Sequence, residues 1–217
     1  LNNLNFNSEK ITLNFNEYIE MKDINEQLII SPPLEREDYK IIPENTVTKK
    51  VEIEIKNKLR ENSTFTFNFG SSIVDYNEGN PLPFFNYTFS TGDYIDSLKI
   101  SGFVKDAYEI DSLDYVSIHL YPIDSVFNDS TIYNQKPFYV GNTLDSVYFE
   151  LNSLAPGKYE FIAIKDQSKN YYFDQSFDKI GFFEKPIEIP KDSFFLPVLF
   201  KEVSNFGWGR AKIINDH

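Results

Sequence analysis

The stretch Thr64-Phe65-Thr66-Phe67-Asn68-Phe69-Gly70 decides the fold. Phenylalanine stands at every second position, with threonine and asparagine between, and a glycine closes the run. A period of two places all three rings on one face of a β-strand and the polar groups on the other. The same alternation recurs on both sides of it. Ile11, Leu13 and Phe15 alternate with Thr12 and Asn14; Val51, Ile53 and Ile55 with Glu52 and Glu54; Phe85, Tyr87 and Phe89 with Asn86 and Thr88. Turn chemistry separates these runs: Pro32-Pro33, Pro43-Glu44-Asn45, Asn62-Ser63, Gly70 and Glu78-Gly79-Asn80-Pro81. A short turn around Lys22–Gln27 is the single helical hint. Short strands with regular punctuation predict an all-β chain of antiparallel sandwiches.

Thr91-Gly92-Asp93 ends the first unit and the pattern then restarts. Leu98–Val104 reads as a strand. Val116, Ile118 and Leu120 alternate with Ser117 and His119, and Val147, Phe149 and Leu151 alternate again. The turn Leu154-Ala155-Pro156-Gly157-Lys158 leads into Tyr159, Phe161 and Ala163, and Ile187–Ile189 with Phe194–Phe200 supply the last strands. The expected organisation is two consecutive β-sandwich domains, residues 1–92 and 93–202, both within the usual domain size. Val203–His217 shows no clear period and reads as a linker or as the start of a missing region.

Composition limits the function. The 217 residues carry a net charge of −12, a field that repels phosphate backbones and anionic lipid, so nucleic acid and peripheral membrane binding are disfavoured. Cysteine is absent, which excludes disulfides, thiolate metal sites and a cysteine nucleophile. The Leu1–Leu4 start has neither an initiator Met nor a basic region, and reads as a mature or trimmed chain. Of two histidines, His217 lies at the end and His119 falls in the polar phase of a strand, on its expected outer face. With neither a nucleophile elbow, a His-Glu-x-x-His pair nor a phosphate-binding glycine loop, the sequence predicts no enzymatic activity.

Two features are candidate sites. The loop Asp166-Gln167-Ser168-Lys169-Asn170-Tyr171-Tyr172-Phe173-Asp174, with Asp178 beyond, sets oxygens of Asp166, Ser168, Asn170, Asp174 and Asp178 at a spacing that can wrap Ca²⁺. It departs from an EF-hand, with Tyr171 where glycine should turn and Lys169 adding a repelling charge; a solvated loop held by Asx turns is the competing reading. Phe84-Phe85, Tyr171-Tyr172-Phe173, Phe182-Phe183 and Phe194-Phe195 are runs of adjacent aromatics, whose side chains point opposite ways in extended backbone. Some should therefore face a partner, or else cover the ends of the sandwiches. Tyr171, Tyr172, Phe173, Phe182 and Phe183 form the expected docking surface.

The run Ile11-Thr12-Leu13-Asn14-Phe15-Asn16-Glu17-Tyr18 and the closing Phe85-Asn86-Tyr87-Thr88-Phe89-Ser90-Thr91-Gly92 resemble bacterial Ig-like domains of the surface-layer type. Thr64–Gly70 with Ile73-Val74-Asp75 and Glu78-Gly79-Asn80-Pro81-Leu82 looks like the pattern of Ig-like-domain lipoproteins of the Bacteroidota. The second unit is similar to carboxypeptidase-regulatory or prealbumin-like sandwiches. The resemblance implies a surface lipoprotein on the outer membrane, anchored through a lipid on a cysteine upstream of Leu1. It also implies a structural or interaction subunit of a larger membrane assembly, such as the β-barrel assembly machinery or another outer-membrane transport complex. A carbohydrate- or ligand-binding module is the alternative. The same lineage O-glycosylates Asp-(Ser/Thr)-apolar triplets, with Thr also allowed last, and the triplets ending in Leu, Val or Thr, all in the second unit, present Ser97, Ser112, Ser125, Ser130 and Ser146. Composition alone predicts about one. Asp-Ser is also ordinary turn chemistry, so both readings stand.

Overall fold

A computed structural model describes residues 3–43, 46–82, 85–107, 115–123, 127–143 and 146–200. They fall into two compact units, Leu1–Asp96 and Ser97–His217. Described strands are mostly antiparallel, and the described helical turns are short, as the alternation requires.

Unit 1 is built from β1 (Lys10–Met21), β2 (Ile29–Ser31), β3 (Tyr39–Ile42), β4 (Thr48–Ile55), β5 (Thr64–Asn68), β6 (Ile73–Asp75) and β7 (Asn86–Ser90). One sheet runs β3-β4-β1-β6 and the other β2-β5-β7. The apolar phases of the sequence meet in the space between them. Ile11, Leu13, Val51 and Ile53 pack in one cluster with Phe65, Phe67, Phe69 and Phe89. Phe65 and Phe89 stand opposite each other in the β5–β7 register, their rings stacked at 5.6 Å. Such cross-strand aromatic pairs add to the burial itself. The short helix α1 (Ile24–Gln27) lies where the sequence carried its helical hint. Strand β1 breaks register with β4 between Asn14 and Ile19, and beyond the break it pairs with β6, Ile19 opposite Asp75.

Unit 2 follows the same logic with more strands: β8 (Leu98–Phe103), β9 (Lys105–Asp106), β10 (Ser117–Pro122), β11 (Tyr139–Asn142), β12 (Tyr148–Leu154), β13 (Gly157–Lys165), β14 (Lys179–Phe182), β15 (Ile187–Ile189), β16 (Phe194–Phe195) and β17 (Val198–Leu199). The order β11-β10-β13-β14, with β15 also on β13, makes the larger sheet; β12-β8-β16 and β17-β9 make the others. Ile100, Phe149 and Leu151 meet Ile118, Leu120, Phe161 and Ala163 in the core. The last strands β16 and β17 join β8 and β9 in parallel, and Phe200 bridges to Ile180 on β14, so one segment ties the smaller sheets to the larger. The ion pair of Lys179 with the buried side chain of Asp106, 2.7 Å, fixes the same junction.

Strand β10 departs from the sequence expectation. Its polar phase, Ser117 and His119, is buried along with its apolar phase. The second face of the larger sheet carries its own cluster of Tyr121, Ile162, Ile164, Phe173 and Ile180, joined by Phe127 and Ile132. The loop 166–178 and the helical turn α2 (Thr131–Asn134) bring Phe173 and Ile132 to this face, joined where the Phe173 N–H donates to the Ile132 carbonyl, 3.0 Å. A strand covered on both faces loses its alternation signal.

Candidate functional site

The Asp166–Asp178 loop uses its carboxylates on itself. Tyr171 N–H donates to Asp166 Oδ2 at 2.8 Å; Gln167 and Asp174 N–H donate to the two oxygens of Asp178 at 3.1 and 2.9 Å. Asn170 Oδ1 accepts from Tyr172 N–H and Asp174 Oδ1 from Ser176 N–H. Asp166 and Asp178 are each 2% exposed, whereas Ser168, Asn170 and Asp174 are exposed to solvent. Burial raises the pKa of the Asp166 carboxyl, and the Asp178 charge adds to the rise; N–H groups of Tyr171, Lys169 and Ser168 oppose it. Among the described residues no three His, Asp or Glu side chains group to hold a metal ion. The five expected Ca²⁺ ligands are thus placed as a buried pair, Asp166 and Asp178, and an exposed rim of Ser168, Asn170 and Asp174, and Asp166 Oδ1 is buried with no hydrogen-bond partner.

The expected aromatic docking surface is divided in the same way. Phe173 is buried in the second cluster of unit 2, and Tyr171 and Tyr172 are half-buried. Phe182 packs against that second cluster, while Phe183 packs against the main core, 5.1 Å from Phe161 and 5.6 Å from Phe195. Adjacent rings on β14 and just beyond it thus serve opposite faces of one sheet. Both are partly buried against these clusters, and in the loop the exposed ring is Phe177.

His119 is fully buried, with Nε2 2.7 Å from Ser117 Oγ. Tyr121 and Tyr171 meet its ring edge-on. Burial lowers its pKa to about 3, so the imidazole is neutral at physiological pH. A Ser–His pair at 2.7 Å has the first element of nucleophilic activation. Such a depressed basicity and the complete burial of both residues leave it without access or driving force. Of the candidate glycosylation serines, Ser97, Ser130 and Ser146 are exposed; Ser112 and Ser125 lie outside the described residues.

Sequence reasoning missed the surface that the fold does assemble. Phe103 at the end of β8, Tyr148 at the start of β12 and Phe194 on β16 come together on the β12-β8-β16 sheet. Ring centroids lie 5.3 Å apart for Phe103–Tyr148 and 6.0 Å for Phe103–Phe194. Yet the three remain 41, 40 and 56% exposed. Within the pair Phe194-Phe195, alternation sends one ring out to this strip and the other into the core. Phe103 and Tyr148 carry no such local signal, because their partners come from other strands. The ring planes cross at 59° and 67°, so they form a knobbed strip, not a flat platform.

In unit 1 a groove of about 280 Å³ is lined by Phe15, Ile73 and Leu82 together with Glu17, Asp75 and Glu78. The neighbouring Asp75 carboxyl raises the Glu17 pKa, burial and the Glu78 charge add to the rise, and the Lys49 charge opposes it. Asp75 Oδ1 also accepts from the N–H groups of Asn77 and Glu78, at 2.8 and 2.7 Å.

Comparison with curated proteins found no match, and comparison with solved structures found none. A protein-family comparison did: residues 2–91, spanning nearly all of unit 1, match the family model of the bacterial Ig-like domain.

Proposed function

We propose that the chain is a non-catalytic interaction subunit of the bacterial cell surface that docks on a protein of a larger outer-membrane assembly. The Ig-like match of unit 1 supports the coarse part of this reading, since such domains are typically extracellular, non-catalytic modules. The observation that carries the docking role is the strip of Phe103, Tyr148 and Phe194, three contacting rings left in solvent. Contiguous exposed aromatics mark interfaces, and a central aromatic cluster supplies most of an interface's binding energy. The crossed ring planes favour a protein groove over the coplanar stacking that a sugar ring needs, which ranks the carbohydrate-binding alternative second. Among the described residues no helix is long and apolar enough to cross a membrane, and the reading places the membrane anchor on a lipid upstream of Leu1. Exposed Ser97, Ser130 and Ser146 are compatible with sugar attachment at the surface.

The test is capture of partners with the full-length protein from native membranes under gentle detergent extraction, comparing wild type with the F103S/Y148S/F194S variant. The reading expects a defined membrane partner that the variant loses. Recovery of wild type only as a free monomer, or equal capture by both proteins, overturns it.

A further inference from the structure

The last strands of unit 2 are apolar on both faces. From Phe194 to Leu199 the residues run alternately exposed and buried. Phe195 and Leu199 enter the core, while Phe194, Leu196 and Val198 stay 56, 52 and 41% exposed on the outer face. The parallel register keeps one offset from Phe194 opposite Ser101 to Val198 opposite Lys105, so Leu196 falls beside Phe103. Tyr148 stands on the other side of Phe103. The three rings are therefore part of an apolar face three strands wide, continued by Leu196 and Val198. A strand whose inward phase already fills a core gains nothing in folding from an apolar outward phase; covering by a partner is what that phase suits.

One charge is set into this face. Lys105 shares the outward phase of Phe103, because Val104 and the Asp106 side chain, its neighbours in sequence, are buried. Val198 lies beside it in the register. Among the described residues Lys105 pairs with no carboxylate, although the chain carries 33 acidic against 21 basic side chains. The other charges of this face are engaged with each other. Glu150 accepts from Tyr148 Oη at 3.1 Å and Asn152 Nδ2 at 2.9 Å, and lies 3.7 Å from Lys99 Nζ. Any layer laid over Phe103, Leu196 and Val198 also takes water from Lys105. A covered ammonium without a counter-charge is strongly unfavourable, so a wholly apolar occupant and a basic one both fit poorly.

We propose that this face receives an apolar segment of the partner protein that carries one aspartate or glutamate, its apolar side chains on Phe103, Phe194, Leu196 and Val198 and its carboxylate on Lys105. The apolar contact supplies the affinity, and the single ion pair fixes the register of the segment on the face. This inference rests on the docking reading of the strip and names the chemistry of its partner.

The test captures partners of the full-length protein from native membranes and treats the complex with a water-soluble carbodiimide, which joins an ammonium to a carboxylate in direct contact. Mass spectrometry reads the joined peptides. The expected result is Lys105 joined to one Asp or Glu of the captured protein, with apolar residues flanking that acid. Lys105→Arg should keep capture and lose the adduct. Lys105→Glu should lower capture at least about tenfold through a like-charge contact, and Lys58→Glu in unit 1 should leave it unchanged. Undiminished capture by Lys105→Glu, a captured complex without the Lys105 adduct, a Lys105 adduct confined to a second copy of this chain, or Lys105-dependent binding to protein-free phosphatidylglycerol vesicles overturns the proposal. Capture that F103S/Y148S/F194S abolishes and Lys105→Glu spares refutes this partner chemistry alone; no capture by wild type refutes the docking reading as well.

Discussion

Replacing Gly102 by alanine tests how the last strands close unit 2. An added Cβ at Gly102 would run into the Phe195 backbone carbonyl and stand 2.7 and 2.8 Å from two atoms of the Phe149 ring. The ring is fully packed against Phe161, so it cannot swing away, and the carbonyl is backbone. The yielding element must be β16, held to β8 by only two register pairs, Phe194 with Ser101 and Phe195 with Gly102. Lifting β16 withdraws Phe195 from its stack on Phe161, 5.4 Å between centroids. Overpacking costs about 1–3 kcal/mol, and the lost burial of one phenylalanine up to about 1.5–3 kcal/mol more. Partial relaxation leaves an expected destabilisation of roughly 2–4 kcal/mol, or a fall in Tm of about 10–25 °C for a domain near 100 residues. Urea unfolding read from amide signals of Ile100 and Phe161, with Phe67 as the unit 1 control, measures it. A change below about 0.5 kcal/mol in unit 2 would show that the segment 193–200 is not seated as described.

Three further outcomes follow from the same geometry. His119, with a folded pKa of about 3 against 6.5 unfolded, takes up a proton on unfolding at pH values between these limits. Its contribution to stability is therefore complete above pH 6.5 and declines as pH falls, by up to about 1.4 kcal/mol per pH unit; the stability difference between wild type and His119→Gln should lose this slope only if the imidazole is exposed. Asp178→Ala removes the acceptor of two loop N–H groups and should cost about 1–3 kcal/mol, with faster hydrogen exchange at Gln167 and Asp174, whereas added calcium should leave the wild-type unfolding midpoint unmoved; a calcium-dependent rise would restore the metal site. Phe67→Ala, which empties a fully buried position between the sheets of unit 1, should destabilise that unit by about 3–5 kcal/mol in calorimetry, and a loss under 1 kcal/mol would contradict the core assignment.

The sandwich was legible wherever one strand face is wet. Val51, Ile53 and Ile55 on β4 are buried while Glu52 and Glu54 pair with Lys10 and Lys50 at the surface, as period-two patterning states. It was not legible at β10, because the Tyr171 ring that packs on His119 and the Phe173 and Ile132 side chains that join Tyr121 come from the loop 166–178 and the turn at Thr131–Asn134, segments without a period. The loop's acidic residues leave two readings open for a related reason: Asp at turn positions caps backbone N–H groups, and sequence does not tell a carboxylate that holds its own loop from one that waits for a cation. The aromatic strip and the Glu17–Asp75 pair each join residues from separate strands, so no local window contains them. Register decides such sites, and β1 reveals its register only through the break after Asn14.

The central claim is that the exposed rings of unit 2 meet another protein at the cell surface. Its most direct measurement is photo-crosslinking in living cells from a photoreactive phenylalanine at position 194, with the same residue at the exposed Lys58 of unit 1 as control, followed by mass spectrometry. The account predicts one discrete protein adduct at position 194, from a membrane-associated partner, and none at position 58. Equal adducts at both positions, or none at 194 in cells where the protein is abundant, would contradict it.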